Sequence, residues 1–321
     1  MLTATELKGK NVLLRADLDV PIKDGRVENL FRLEALMPTL KLCLENAHRT
    51  CIIGHLGRPE AKETGFSLVP VREELKRLIN QEISFIASGY SPGECWKGEL
   101  PLSLMENLRF DPREESISRE FAEELVAGAD LYVYEAFANY RPCTSLQTIP
   151  ELLSTRTGLQ FDREIATLDK ILKAPARPTL LLASGAKPDK LEIIRQVTPI
   201  FDLVLLGGKF ARTDELTPDG LDISEETTSL FVKAISEAKT VVLNGPLGMY
   251  EDGIHAKATK AVFQALKDGS AFSILGGGDT LSAISDLGFQ YTDFGFVSTG
   301  GGAMLDFLAT GTHPLLDILK H

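Results

Sequence analysis

The stretch Leu203-Val204-Leu205-Leu206-Gly207-Gly208-Lys209 joins a strand-sized apolar run to two glycines and a cation. Its apolar residues do not alternate with polar ones. That pattern reads as a strand buried on both faces, as in a parallel sheet. The unit recurs in the second half of the chain. Residues 180–183 run into Ser184-Gly185-Ala186-Lys187, and 241–243 into Asn244-Gly245-Pro246-Leu247-Gly248. Residues 272–275 run into Gly276-Gly277-Gly278-Asp279-Thr280, and 294–297 into Ser298-Thr299-Gly300-Gly301-Gly302. Similar runs at 12–14, 51–53, 83–86 and 131–134 extend the series through the first half. Helix-like stretches lie between them. In Ser118-Arg119-Glu120-Phe121-Ala122-Glu123-Glu124-Leu125, Phe121 and Leu125 share one face and Ser118 is placed to cap. Strands alternating with helices predict an α/β fold of doubly wound parallel sheets.

The chain has 321 residues, enough for two domains at about 150 residues each. An apolar share of 44% with 25% charged residues argues against disorder. No apolar run is long enough to span a membrane, and the N-terminus lacks the basic and apolar regions of a signal peptide. A net charge of −11 argues against a nucleic-acid or anionic-membrane binder, but a phosphorylated small molecule needs only a local basic cluster. The four cysteines form no CxxC and no zinc spacing, so a disulfide framework or structural metal is not expected and a reducing cytoplasm is.

Open α/β sheets bind ligands beyond the carboxyl ends of their strands. Glycine there lets the backbone approach a ligand, and the following helix presents free N–H groups to an anion. Five such turns in the second half point to a phosphorylated ligand. The first half is richer in arginine, with 11 of the 16 before residue 151. Arginine's fork suits carboxylate and phosphate. A lone arginine is ordinarily a solvated or ion-paired surface residue. Arg15, Arg32, Arg58, Arg109 and Arg141, however, all fall at or near strand ends or in turns. His55 reads equally as a structural histidine or as an anion donor. Asp17 and Asp19 read as turn residues, metal carboxylates or acceptors for a substrate hydroxyl, the turn reading leading. GxxxxGK[ST], a GxGxxG with its acidic ribose reader and HExxH are absent, which disfavours a P-loop kinase and a dinucleotide dehydrogenase.

In order along the chain, Leu14-Arg15-Ala16-Asp17-Leu18-Asp19-Val20-Pro21, Gly54-His55-Leu56-Gly57-Arg58-Pro59 and Glu106-Asn107-Leu108-Arg109-Phe110 resemble motifs of the phosphoglycerate kinase family. So do the asparagine–glycine–proline turn at 244–248 and the glycine-rich turns at 276–280 and 298–303. The resemblance implies two Rossmann-like domains facing a central cleft: 1–152 with 310–321 for phosphoglycerate, and 153–309 for nucleotide. It implies reversible phosphoryl transfer between 1,3-bisphosphoglycerate and ADP, with ATP or ADP as co-substrate, Mg²⁺ as cofactor, hinge closure and a monomer. It further implies that Asp17, Leu18, Asp19, Arg32, His55, Leu56, Gly57, Arg58, Arg109 and Arg141 surround the phosphoglycerate. Arg32, Lys187 and Lys190 would be catalytic. Lys190, Asn244, Gly277, Gly278, Asp279 and Thr280 would hold the nucleotide phosphates, Asp279 its Mg²⁺, and Glu251 the ribose.

Departures from the family pattern carry their own expectations. Asp19 replaces an asparagine and adds negative charge. Glu135-Ala136-Phe137-Ala138-Asn139-Tyr140-Arg141 keeps the arginine and loses the family's histidines. Leu243 stands in place of the usual tryptophan. Lys187 and Lys190 are three apart rather than four, about 100° of helix direction, which favours Lys190 in the role. Only residues 212–220 occupy a stretch that is much longer in the family, so the second sheet is expected to lack an edge βα unit. Two alternative readings follow: a catalytically degenerate metabolite or nucleotide binder, and a kinase of another small carboxylate.

Overall fold

Each apolar run in the sequence contributes a strand; those at 12–14, 51–53, 131–134, 180–183 and 241–243 are buried, whereas those at 83–86 and 203–206, at sheet edges, are only partly covered. The computed structural model describes residues 1–60, 63–87, 92–186 and 188–320. By its contacts the chain divides into two units, Met1–Ile165 with His313–His321, and Ala166–Thr312. The division falls within the helix Leu159–Lys173.

In the first unit the strands are β1 (Asn11–Arg15), the hairpin strands β2 (Ile22–Lys23) and β3 (Arg26–Val27), β4 (Arg49–Ile53), β5 (Ser84–Ile86), β6 (Leu102–Met105), β7 (Leu131–Tyr134) and β8 (Thr155–Thr157). Six of them form a parallel sheet in the order β5-β6-β4-β1-β7-β8. In register, Leu13 of β1 lies between Cys51 and Tyr132. Val12, Leu14, Ile52, Leu104 and Val133 pack against Leu33, Leu36 and Leu40 of the helix Phe31–Asn46. The helix Arg119–Val126 forms as its periodicity predicts. Ser118 Oγ accepts from Phe121 N at 3.2 Å, and Phe121 and Leu125 are buried.

The second unit holds β9 (Thr179–Gly185), β10 (Leu203–Gly208), β11 (Thr240–Asn244), β12 (Phe272–Gly276) and β13 (Phe296–Ser298). They form a parallel sheet in the order β10-β9-β11-β12-β13. Both sheets are therefore parallel and built from strand–helix alternation, the expected α/β class. Sequence periodicity missed β6, where Ser103 interrupts the apolar run, and β8, whose Thr-Arg-Thr is a polar edge strand.

Strand β10 is an edge strand, and Leu203 at its start is exposed. From it the chain returns through a brief turn. Arg212 N donates to Glu215 Oε2 at 2.8 Å, and Leu216 and Ile223 form an antiparallel bridge. Ser224 then caps the helix Glu225–Glu237. His255 ties this turn down, with Nε2 2.9 Å from Asp219 Oδ2 and Nδ1 2.5 Å from Asp252 Oδ2.

Near the C-terminus, His313 sits among Tyr134, Phe137 and Phe161 of the first unit. Its Nδ1 accepts from Leu315 N at 3.2 Å and its Nε2 donates to Phe137 O at 3.1 Å. Burial lowers its pKa to about 4, so the ring is neutral.

Candidate active site

In a doubly wound sheet the ligand crevice opens where successive crossovers leave in opposite directions. In the first sheet that point lies between β1 and β7. The loops beyond the carboxyl ends of β1, β4, β6 and β7 meet there. They line a pocket of about 290 Å³ with Asp19, His55, Gly57, Arg58, Arg109 and the run Ala138-Asn139-Tyr140-Arg141. Three arginines face it, against one carboxylate.

The loops are fastened to each other through buried polar groups. Asn107, fully buried, donates to Leu56 O at 2.8 Å and to Phe66 O at 2.9 Å, and its Oδ1 accepts from Leu56 N at 3.2 Å and Arg109 N at 3.1 Å. Gly57 N donates to Asp19 Oδ1 at 2.8 Å, and Arg109 Nη1 donates to Gly57 O at 2.6 Å. Asp19 thus serves as an acceptor for the β4 turn, and Gly57 stands at φ 61°, where a side chain would be strained and would also meet Phe66. Leu18 and Leu56 lie in the hydrophobic core, so their side chains do not reach the pocket. Arg58 and Arg141 are exposed at its rim.

Arg32 bridges the two aspartates. Its Nη1 lies 3.5 Å from Asp17 Oδ1 and 3.8 Å from Asp19 Oδ2, and donates to Asp19 O. Asp17 is buried, and its Oδ2 has no hydrogen-bond partner among the described residues. Burial raises the Asp17 carboxyl above the ordinary aspartate range, and Arg32 opposes it. Burial also depresses His55 well below an ordinary histidine, helped by Arg15, Arg109, Arg32 and Arg58, so the ring is neutral at pH 7.

The switch point of the second sheet lies between β9 and β11. Lys190, from the first turn of the helix Pro188–Val197, points its Nζ there and donates to Ser184 O at the end of β9 and to Asn244 O at the end of β11, the latter at 3.3 Å. Burial lowers its pKa to about 8, and Asp279 opposes the shift. Thr280 Oγ1 accepts from Gly245 N at 2.9 Å and donates to Gly276 O at 3.0 Å, while Asn244 Nδ2 donates to Gly301 O at 2.9 Å. These two side chains lock the glycine turns to one another. Gly277 caps the helix Gly278–Asp286 at φ 116°, and a Cβ on Gly301 would lie 2.3 Å from its backbone. Gly278 has open space around it, Asp279 is exposed in the same turn, and Glu251 is exposed on the turn Tyr250–Asp252. Lys187 lies outside the described residues.

A family model described as phosphoglycerate kinase matches residues 2–214 and 212–311. The chain belongs to the phosphoglycerate kinase family. It is 32% identical to the phosphoglycerate kinase of Streptomyces avermitilis, with 99% of this chain and 98% of the relative covered. It is 31% identical to that of Bdellovibrio bacteriovorus, with 98% and 96% covered. Among solved structures, the phosphoglycerate kinase of Pyrococcus horikoshii superposes with a TM-score of 0.85 and that of Coxiella burnetii with 0.77. Each is 25% identical, with 98% of this chain and 96% of the other covered.

Within the phosphoglycerate kinase family this chain is short. Its alignment to the Streptomyces relative spans 396 positions for 321 residues, leaving at least 75 that only the relative fills. The two matched segments of the family model meet at 212–214, in the brief turn after β10. Sequence reasoning missed Asn107 as the residue joining the loops, although it stands inside one of the family motifs. It also missed Glu114 and Ser145, which carry no motif: Ser145 Oγ accepts from the buried Arg15 Nε at 3.0 Å and donates to Glu114 Oε1 at 2.6 Å.

Proposed function

We propose that this chain reversibly transfers the acyl phosphate of 1,3-bisphosphoglycerate to ADP, giving 3-phosphoglycerate and ATP. One observation supports the reading above the others: the pocket of His55, Arg58, Arg109 and Arg141 lies at the switch point of the first sheet, whose β1 leads on to Asp17, with an unmet carboxylate oxygen. An anion carrying a hydroxyl group suits both features. In this reading the three arginines and His55 hold the phosphate and carboxyl groups, and Asp17 accepts from the hydroxyl. Asp19 positions the β4 turn, and Arg32 lies beside both aspartates.

In the ATP-consuming direction the attacking group is a carboxylate, ionised at neutral pH, so no general base is needed. The work is in-line positioning and neutralisation of charge on the transferring group. Arg32 serves from the phosphoglycerate side, and Lys190, with Lys187, from the nucleotide side. The turns at 244–248 and 276–280 offer backbone N–H groups to phosphates, and Glu251 reads the ribose.

Groups of three or more metal-ligating side chains are absent among the described residues. Asp279, exposed beside the glycine turn, suits a Mg²⁺ held by one carboxylate and otherwise by phosphate oxygens and water. Bound Mg²⁺ would neutralise phosphate charge. The reading includes closure on the two ligands, which small-angle scattering reports as compaction when both are bound. It also includes a monomer in the cytoplasm, consistent with four free cysteines.

The deciding experiment is a coupled assay with 3-phosphoglycerate, ATP and Mg²⁺, following 1,3-bisphosphoglycerate by its reduction. Turnover that is lost in Asp279→Ala is expected. Binding of either ligand without turnover would overturn the reading in favour of a binding protein.

A further inference from the structure

His55 faces the pocket, but its chemistry is set from behind. Its Nδ1 lies 2.6 Å from Arg15 Nη2. A guanidinium has donors only, so Nδ1 must accept. A ring that accepts at Nδ1 and is neutral carries its proton on Nε2. Among the described residues no hydrogen bond reaches Nε2.

Arg15 is held too firmly to yield this contact. It is fully buried at the end of β1. Its Nη1 donates to Ala16 O at 2.6 Å and its Nε to Ser145 Oγ at 3.0 Å. Ser145 passes the restraint on, with Oγ donating to Glu114 Oε1 at 2.6 Å and its N to Glu114 Oε2 at 3.1 Å. Glu114 is itself buried and supplies the opposing charge. The array spans β1, the loop before the helix Arg119–Val126, and the helix Thr144–Gln147. It lies at the β1–β7 switch point, behind the pocket.

We propose that Arg15, braced by Ser145 and Glu114, is a positioning residue that fixes His55 as the neutral tautomer with its proton on Nε2, aimed at the anion in the pocket. His55 then contributes a directed N–H and no charge. The charged groups facing it are Arg15 from β1, Arg32 from the helix Phe31–Asn46, Arg58 from its own turn, and Arg109 from the turn after β6. The carboxylate of Asp19 and the guanidinium of Arg141, from the loop after β7, line the same pocket. Protonating the ring would place a donor against a donor at Nδ1 and a sixth cation among five. Ligand binding therefore leaves the proton count of His55 unchanged. That the anion is phosphoglycerate rests on the proposed function; the tautomer does not.

The experiment is nitrogen-detected NMR of ¹⁵N-histidine-labelled protein, with the His55 signals assigned by their loss in His55→Gln. The ligand-free wild type should show a protonated Nε2 and an unprotonated Nδ1 unchanged from pH 6 to 8, and the same after 3-phosphoglycerate is added. A proton on Nδ1, a tautomer mixture, or titration in that range would overturn the proposal without any variant. Arg15→Lys keeps the charge and removes the fork. Its His55 should begin to titrate, and its KM for 3-phosphoglycerate should rise about tenfold and become pH-dependent, with KM for ATP unchanged. If Arg15→Lys folds and keeps the wild-type tautomer and pH profile, the proposal fails. If the tautomer is found and turnover is not, only the functional reading fails.

Discussion

Arg32 Nη1 lies 3.5 Å from one oxygen of Asp17, while the other oxygen of that buried carboxylate meets no protein donor among the described residues. Arg32 therefore offsets a buried charge, and in the proposed function it also stands beside the reacting ligand. Arg32→Ala should reduce kcat by about a hundredfold or more, the scale of losing a group that stabilises the transition state. It should also cost about 3 kcal/mol of stability, because Asp17 is left uncompensated. Adding Asp17→Asn should restore much of the stability and none of the turnover. Denaturant melts and steady-state assays separate the two effects. Full kcat in Arg32→Ala would remove it from the mechanism.

Lys190 gives a pH-dependent prediction. Its pKa is lowered to about 8 by burial. Bound phosphates favour the charged ammonium, so the nucleotide complex should hold the proton to higher pH. Nucleotide affinity should therefore be flat below pH 8 and fall towards tenfold per unit above it. Calorimetry at pH 7 and 9, in buffers of different ionisation heat, should find proton uptake only at the higher pH. Lys190→Met should bind weakly at both. Uptake that persists in this variant would assign the proton to another group.

The scaffold was more legible than the site, for a physical reason. Continuous apolar runs such as Leu180-Leu181-Leu182-Ala183 mark central parallel strands by composition alone. Edge strand β8, Thr-Arg-Thr, buries too little to leave that mark. The arginines at strand ends were visible individually, and the family motifs supplied candidate roles for four of them. What the sequence hides is which polar groups face each other across the sheet. Nothing in the spacing of Arg15, Glu114 and Ser145 predicts a shared hydrogen-bond array, since β1 and β7 become neighbours only through crossovers. Leu18 and Leu56 sit within the motifs, but their side chains turn into the core, which leaves only their backbone to face the pocket.

Glu135, at the end of β7, receives Thr39 Oγ1 and the backbone N–H groups of Gln160 and Phe161. Burial outweighs these donors and lifts its pKa from 4.5 to about 7. Between those values the folded protein holds a proton that the unfolded chain has released. This group's contribution to stability therefore falls as pH rises from 4.5 to 7 and is constant above, a total of about 3 kcal/mol. The destabilisation caused by Glu135→Gln should shrink by up to that amount over the same interval. Urea titrations at several pH values measure it. A difference that grows with pH would mean the donors, not burial, dominate.

His255 joins Asp219 in the shortened turn to Asp252 after β11, and both carboxylates raise its pKa. A raised histidine stabilises the fold fully below its unfolded pKa, and the contribution is lost as pH rises through the folded value. Asp219 is lowered to about 2, so its contribution is present above the ordinary aspartate range and lost as pH falls towards 2. The clasp should therefore be strongest in mildly acidic to neutral solution. Hydrogen exchange of residues 212–223 should quicken in His255→Ala and, in the wild type, as pH rises beyond the folded pKa once intrinsic rates are corrected. Unchanged protection in the variant would show that the bridge Leu216–Ile223 and the Arg212–Glu215 cap suffice alone.

Neighbouring glycines separate a folding role from a ligand role. Gly277 stands at φ 116°, where any side chain is strained. Gly278, the first residue of its helix, has nothing within 4 Å of the place a methyl group would take. Gly277→Ala should lower stability and nucleotide affinity together. Gly278→Ala should keep or raise stability by about 0.5 kcal/mol, because alanine loses less backbone entropy on joining a helix. If nucleotide phosphates approach this turn, that methyl occupies their space, and affinity should fall severalfold while the melting temperature does not. Differential scanning calorimetry paired with nucleotide titration reads both. Unaltered affinity in Gly278→Ala would place the phosphates elsewhere along the carboxyl edge of the second sheet.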